Sequence, residues 1–95
     1  GICGYIGEEQ KIAFLLGTLR RLEYRGYDSC GLALRVGKRI VFKRARGKIA
    51  RLQEVVNHNI SFSAGIAHTR WATHGAPSLH NAHPHCDCKR EIFVA

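Results

Sequence analysis

The chain has 95 residues, 45% hydrophobic and 23% charged, a globular mix too apolar for a disordered tail. Fifteen Lys and Arg against seven Asp and Glu give a net charge of +8, which suits an anionic substrate, an acidic partner or nucleic acid. No apolar run approaches the roughly 20 residues of a membrane span, and no basic stretch leads into an apolar one, so neither a membrane helix nor a signal peptide is expected. The sequence opens on Gly1-Ile2-Cys3 and contains no Met, which predicts a processed or truncated start. Without a secretory signal, the four cysteines Cys3, Cys30, Cys86 and Cys88 read as free thiols in a reducing cytoplasm.

Ile2 to Ile6 reads as a short buried strand ended by Gly7. From Glu8 to about Tyr24 the residues Ile12, Leu15, Leu16, Leu19 and Leu22 recur three and four apart and predict a helix. Arg20 and Arg21 complement the dipole of its last turns, and Gly26 marks its exit. Cys30–Leu34 is a second strand, and the turn Arg35–Arg39 leads into Ile40-Val41-Phe42 as a hairpin. Gly47 precedes a second helical pattern carrying Ile49, Leu52, Val55 and Val56, and Phe62–Ala67 is a third strand. Thr69 to Cys88, rich in His, Pro, Gly and Asn, reads as a long functional loop. Glu91–Ala95 begins another apolar strand and stops in mid-run, which predicts a chain cut at its C-terminus.

Eight of the cations fall between Arg35 and Arg51, on the hairpin and the start of the second helix. Only Phe42 interleaves with them, whereas single-strand binders need stacking rings among the cations, so a solvated basic face is expected and no nucleic acid. Three segments carry chemistry: Tyr24-Arg25-Gly26-Tyr27-Asp28-Ser29, His68 to Gly75, and Asn81 to His85. In the middle one, Arg70 can clamp a carboxylate or phosphate bidentately, with a Thr hydroxyl and backbone N–H groups completing the contact and Trp71 covering it. The same residues also fit a buried Trp anchoring a loop, with Arg and His in solvent. His83, His85, Cys86 and Cys88 are zinc-type ligands that would make a small metal- or anion-binding module. Their spacing argues against a conventional finger, and no metal or other cofactor is expected.

Four blocks of the sequence together closely resemble the glucosamine-6-phosphate synthase family. They are Gly-Ile-Cys-Gly-Tyr-Ile-Gly, Leu-Arg-Arg-Leu-Glu-Tyr-Arg-Gly-Tyr-Asp-Ser, Gly-Ile-Ala-His-Thr-Arg-Trp-Ala-Thr-His-Gly and Asn-Ala-His-Pro-His, in that order. The resemblance covers almost all of residues 1–95 but only the N-terminal part of the family's class II glutamine amidotransferase domain. It implies an α+β N-terminal nucleophile hydrolase, a four-layer αββα sandwich in which two antiparallel sheets lie between helical layers. It further implies glutamine as substrate, fructose 6-phosphate bound in a separate C-terminal region, and a cytoplasmic homo-oligomer in hexosamine biosynthesis. The family order Cys-Gly-Ile-x-Gly aligns Gly1 with its second residue, so the resemblance puts the nucleophilic Cys just before Gly1. Cys3, with Gly1 and Ile2 attached, has no free α-amino group and is expected in the core. Residue by residue, the family pattern gives Arg25 a place beside the nucleophile and Arg70 the α-carboxylate of glutamine. Thr73 and His74 take further contacts to the amino acid, Trp71 moves as the glutamine loop closes, and His83 supports. Ala76 stands where relatives often carry Glu. The oxyanion hole would come from beyond Ala95, so the 95 residues alone are expected to be inactive.

Overall fold

The computed structural model describes residues 1–95. The elements, in chain order, are β1 (Ile2–Lys11), α1 (Ile12–Arg21), a 3-10 turn (Glu23–Arg25), β2 (Ser29–Val36) and β3 (Arg39–Arg46). They are followed by α2 (Ile49–Val55), β4 (Ser61–Arg70), β5 (His85–Cys86) and β6 (Phe93–Val94). β1 to β4 form one antiparallel sheet in the order β1-β4-β2-β3, and β5 and β6 form a separate two-stranded sheet.

Both helices pack on one face of the large sheet. From α1 come the buried Ile12, Leu15, Leu16 and Leu19, and from α2 Ile49 and Leu52. They meet Cys30, Leu32 and Leu34 of β2 and Phe62 and Ala67 of β4 in a single core. Each fully buried Leu or Ile contributes about 1.5–3 kcal/mol relative to exposure. The α1 stripe is the one its spacing predicts, and Arg20 and Arg21 do lie in its last turn. The opposite face of the sheet carries Ile66, His68 and Arg70, because successive strand residues alternate sides. There Phe93 meets Phe42 edge-on, ring centroids 5.2 Å apart, so the β5–β6 ribbon lies over this second face. The result is a helical layer, a four-stranded sheet and a two-stranded ribbon over its other face.

Three boundaries differ from expectation. Gly7 does not end β1, and residues 8–11 are strand rather than the first turn of α1. After an irregularity between Ile6 and Gln10 the strand recovers its partner, pairing Gln10 with Phe62 and Lys11 with Ser61. The long loop starts two residues later than expected, because Cys30 and Ser29 of β2 pair with Thr69 and Arg70 and carry β4 to its end. Leu22 then caps α1, and the chain tightens through the 3-10 turn to Gly26 instead of running as helix to Tyr24.

Candidate active site

The site lies where β1 begins, β4 ends and the 3-10 turn enters β2. Gly1 and Thr69 face each other across the β1–β4 ladder. The Gly1 nitrogen donates to the Thr69 carbonyl at 2.7 Å, and the Thr69 N–H donates to the Gly1 carbonyl at 2.8 Å. This reciprocal pair extends the register Ile2–His68 by one residue. The Thr69 side chain, fully buried, accepts a further bond from the Gly1 nitrogen at 3.0 Å. Burial lowers the Gly1 amino group from its usual range, and the nearby charge of Arg25 pushes the same way. Arg25 itself is exposed, in the 3-10 turn.

Arg70 closes β4 and is 92% buried, its relative exposure being 8%. Its guanidinium turns into the following loop, donating to the His74 carbonyl, to that of Gly75 at 3.0 Å and to that of Ala76 at 3.3 Å. Asn81 Nδ2 shares the Ala76 carbonyl at 2.9 Å. Three of the five guanidinium donors thus shape residues 74–76, leaving Nε–H and one Nη1–H for another acceptor. Thr73 and His74 are exposed on that loop. Trp71 is half exposed and rests edge-on against Tyr27, centroids 5.5 Å apart, with the Lys48 ammonium over the other ring at 5.7 Å.

The site residues are brought together by a close backbone approach. A Cβ on Gly26 would lie 2.6 Å from the Arg70 carbonyl carbon and 2.7 Å from the Trp71 nitrogen, so only glycine admits the crossing. Beside it, the Asp28 N–H donates to the Arg70 carbonyl at 3.0 Å, and Asp28 Oδ2 accepts the Ala72 N–H at 2.7 Å. The sequence motifs contain Asp28 and Thr69 without a role of their own, and Gly26 only as the exit of the first helix. The available signal was Asp28 itself, one of only seven acids, set just before a strand whose first six residues are buried.

Cys3 is half-buried against the core, and burial raises its thiol pKa, only partly offset by the amino terminus. Cys30 is buried, with its pKa pushed up to about 11 by the same desolvation. Both thiols are therefore poorly ionised at neutral pH. The zinc-type residues do not converge: no three His, Cys, Asp or Glu side chains are placed to hold a metal ion. Instead His83 sits between His68 and His85, with ring centroids 4.4 Å apart on each side. Nδ1 of His68 and of His83 are buried without a hydrogen-bond partner. Desolvation, reinforced by His83, the amino terminus, Arg70 and His85, lowers His68 to about 4, so its ring is neutral at pH 7. No helix is long and apolar enough to cross a membrane.

No protein-family model matches the chain. In three dimensions it resembles the glutamine phosphoribosylpyrophosphate (PRPP) amidotransferase from B. subtilis, solved in complex with ADP and GMP. The TM-score is 0.73 over 87% of this chain and 18% of that one, at 23% identity. The chain therefore shares that protein's fold over this span, an α+β arrangement with two helices on an antiparallel sheet, in line with the α+β expectation. By sequence the similarity is higher to other proteins. The glutamine–fructose-6-phosphate aminotransferase [isomerizing] of Bacillus anthracis is 53% identical over 85 residues, 90% of this chain and 14% of that protein. Its namesake in Synechocystis sp. is 50% identical over 95 residues, 99% of this chain and 15% of that protein. The chain is thus similar over nearly its whole length to glutamine–fructose-6-phosphate aminotransferases, and it spans about one seventh of the length of these relatives.

Proposed function

We propose that these residues form part of a glutaminase unit that hydrolyses glutamine to glutamate and ammonia. In the whole protein, the ammonia converts fructose 6-phosphate to glucosamine 6-phosphate. The observation that carries the reading is the strand register: with Gly1 opposite Thr69, a residue attached to the Gly1 nitrogen falls opposite Arg70 on the same face of the sheet. Directly opposed residues of a non-hydrogen-bonded pair have Cα atoms about 4.5 Å apart. A Cys there would lie within reach of a glutamine whose α-carboxylate meets Arg70. Its thiolate attacks the carboxamide carbon, its own α-amino group having taken the thiol proton and then passing it to the departing ammonia. Water then hydrolyses the thioester to glutamate. An α-amino group has a pKa of about 7.7–8.0, and desolvation with Arg25 alongside would lower it toward neutrality, which suits a general base.

In this reading Arg25 supports the nucleophile, Arg70 clamps the carboxylate with its remaining donors, and Thr73 and His74 add contacts. Trp71 leaves Tyr27 to close over the bound amino acid. The oxyanion hole comes from sequence beyond Ala95, so the 95 residues alone are inactive. The parent is a cytoplasmic homo-oligomer in hexosamine biosynthesis. The test is glutamate release by the full-length protein against a variant whose residue before Gly1 is Ala. Release equal in both would overturn the reading. Arg70→Ala is expected to raise the KM for glutamine tenfold or more, as loss of a charged hydrogen-bond partner costs about 1.5–3 kcal/mol. An unchanged KM would remove Arg70 from carboxylate binding.

A further inference from the structure

We propose that Asp28 is a positioning residue for the substrate loop, fixing the backbone on both sides of Trp71 and through it the aim of Arg70. The proposal rests on the glutaminase reading for its substrate. Its geometry stands apart from that reading. Asp28 takes the Ala72 N–H on its carboxylate at 2.7 Å, gives its own N–H to the Arg70 carbonyl at 3.0 Å and accepts the Gly47 N–H at 2.8 Å. Residues 70 and 72 are thereby tied to one residue, and Trp71 is the single link between the ties. The backbone of Gly26, two positions earlier, presses on the same link.

The carboxylate bond is the part that belongs to the site rather than to the fold. Ser29 and Cys30 pair with Arg70 and Thr69 through backbone alone, so β2 and β4 hold together whatever side chain residue 28 carries. Removing the carboxylate frees only the Ala72 N–H, at the point where β4 gives way to the loop. That loop is the one Arg70 shapes through the carbonyls of His74, Gly75 and Ala76. A bond from an N–H to a charged acceptor is among the stronger local ties, and a misplacement of about 1 Å in a binding group costs up to a hundredfold. The half-buried position keeps that bond partly shielded from water.

The experiment uses the full-length protein with Asp28→Ala and Asp28→Asn, each checked for its thermal midpoint. Asp28→Ala is expected to raise the KM for glutamine about tenfold with kcat within about twofold, the signature of lost uniform binding. Asp28→Asn keeps an acceptor oxygen and is expected to restore KM to within about threefold of the parent. Amide hydrogen exchange at Ala72, followed without substrate, should be faster in Asp28→Ala and near the parent rate in Asp28→Asn. An unchanged KM and exchange rate in folded Asp28→Ala would overturn the proposal, as would an Asn variant as impaired as the Ala one. Should the unaltered protein fail to hydrolyse glutamine, the glutaminase reading falls. The exchange measurement then decides on its own whether Asp28 holds the loop.

Discussion

A Cβ added at Gly31 would lie 2.3 Å from the His83 carbonyl oxygen and 2.9 Å from that of Lys43. Neither atom is the end of a flexible side chain, so Gly31→Ala must push β3 or the 82–84 segment away from β2. Overpacking of this kind costs about 1–3 kcal/mol, which urea unfolding of the variant would register. The 82–84 segment carries His83, the middle ring of the imidazole stack, whose acid response has a definite sign. His68 is lowered to about 4 and His83 also lies below its usual value, while the unfolded chain binds these protons near 6.5. Every charged group acting on His68 is cationic or becomes so in acid: His83, the amino terminus, Arg70 and His85. Stability is thus fully present above about pH 6.5 and drains away as pH falls toward 4. His68→Phe, which keeps a ring but no titrating nitrogen, should flatten the fall in unfolding midpoint between pH 7 and 4.5. An equally steep fall would exclude His68 as its source.

Among the elements, α1 separates its two faces sharply. Phe62, fully buried beneath the helix on β4, and Phe14, 49% exposed on the helix itself, both meet the ring of Tyr5 edge-on at 5.6 and 5.4 Å. Phe62→Ala is expected to cost about 3–5 kcal/mol and Phe14→Ala about 1 kcal/mol, measured by denaturant titration. Equal losses would mean that the Tyr5 contact, not core burial, sets the energy. The apolar spacing made α1 legible because its stripe faces one core. Its start was not: Glu8, Glu9, Gln10 and Lys11 are good first-turn residues, but Phe62 and Ser61 offer them strand partners that no local pattern reveals. The site shows the same division. Arg70, Trp71, Thr73 and His74 stood out by residue type. That Arg70 curls back onto its own loop, and that Asp28 and Gly26 govern that loop, depends on a backbone crossing between segments about 45 residues apart.

At the scale of the molecule, the sheet is clothed by helices on one side and only partly by the β5–β6 ribbon on the other. An open groove of about 360 Å³ remains, lined by Tyr5, Ile6, Ala33, Ala64, Ile66 and Phe93 among others. In the four-layer sandwich that the family resemblance implies, a second sheet covers such a face. Ala64→Asp would bury a carboxylate there without a partner. We expect it to destabilise the full-length protein by about 1–3 kcal/mol while leaving the isolated 95 residues within about 0.5 kcal/mol. Equal behaviour of the two would mean the groove faces water in both.

The strand order also fixes a timetable. β1 is made first, yet within the large sheet its only neighbour is β4, which ends at Arg70. A chain emerging from the ribosome at about 5–20 residues per second therefore carries an unpaired β1 for several seconds before that partner appears. During that interval β2 and β3 can close their local hairpin, and β4 arrives to be flanked on both sides at once. The end that bears Gly1 is thus among the last parts of the sheet to be fixed.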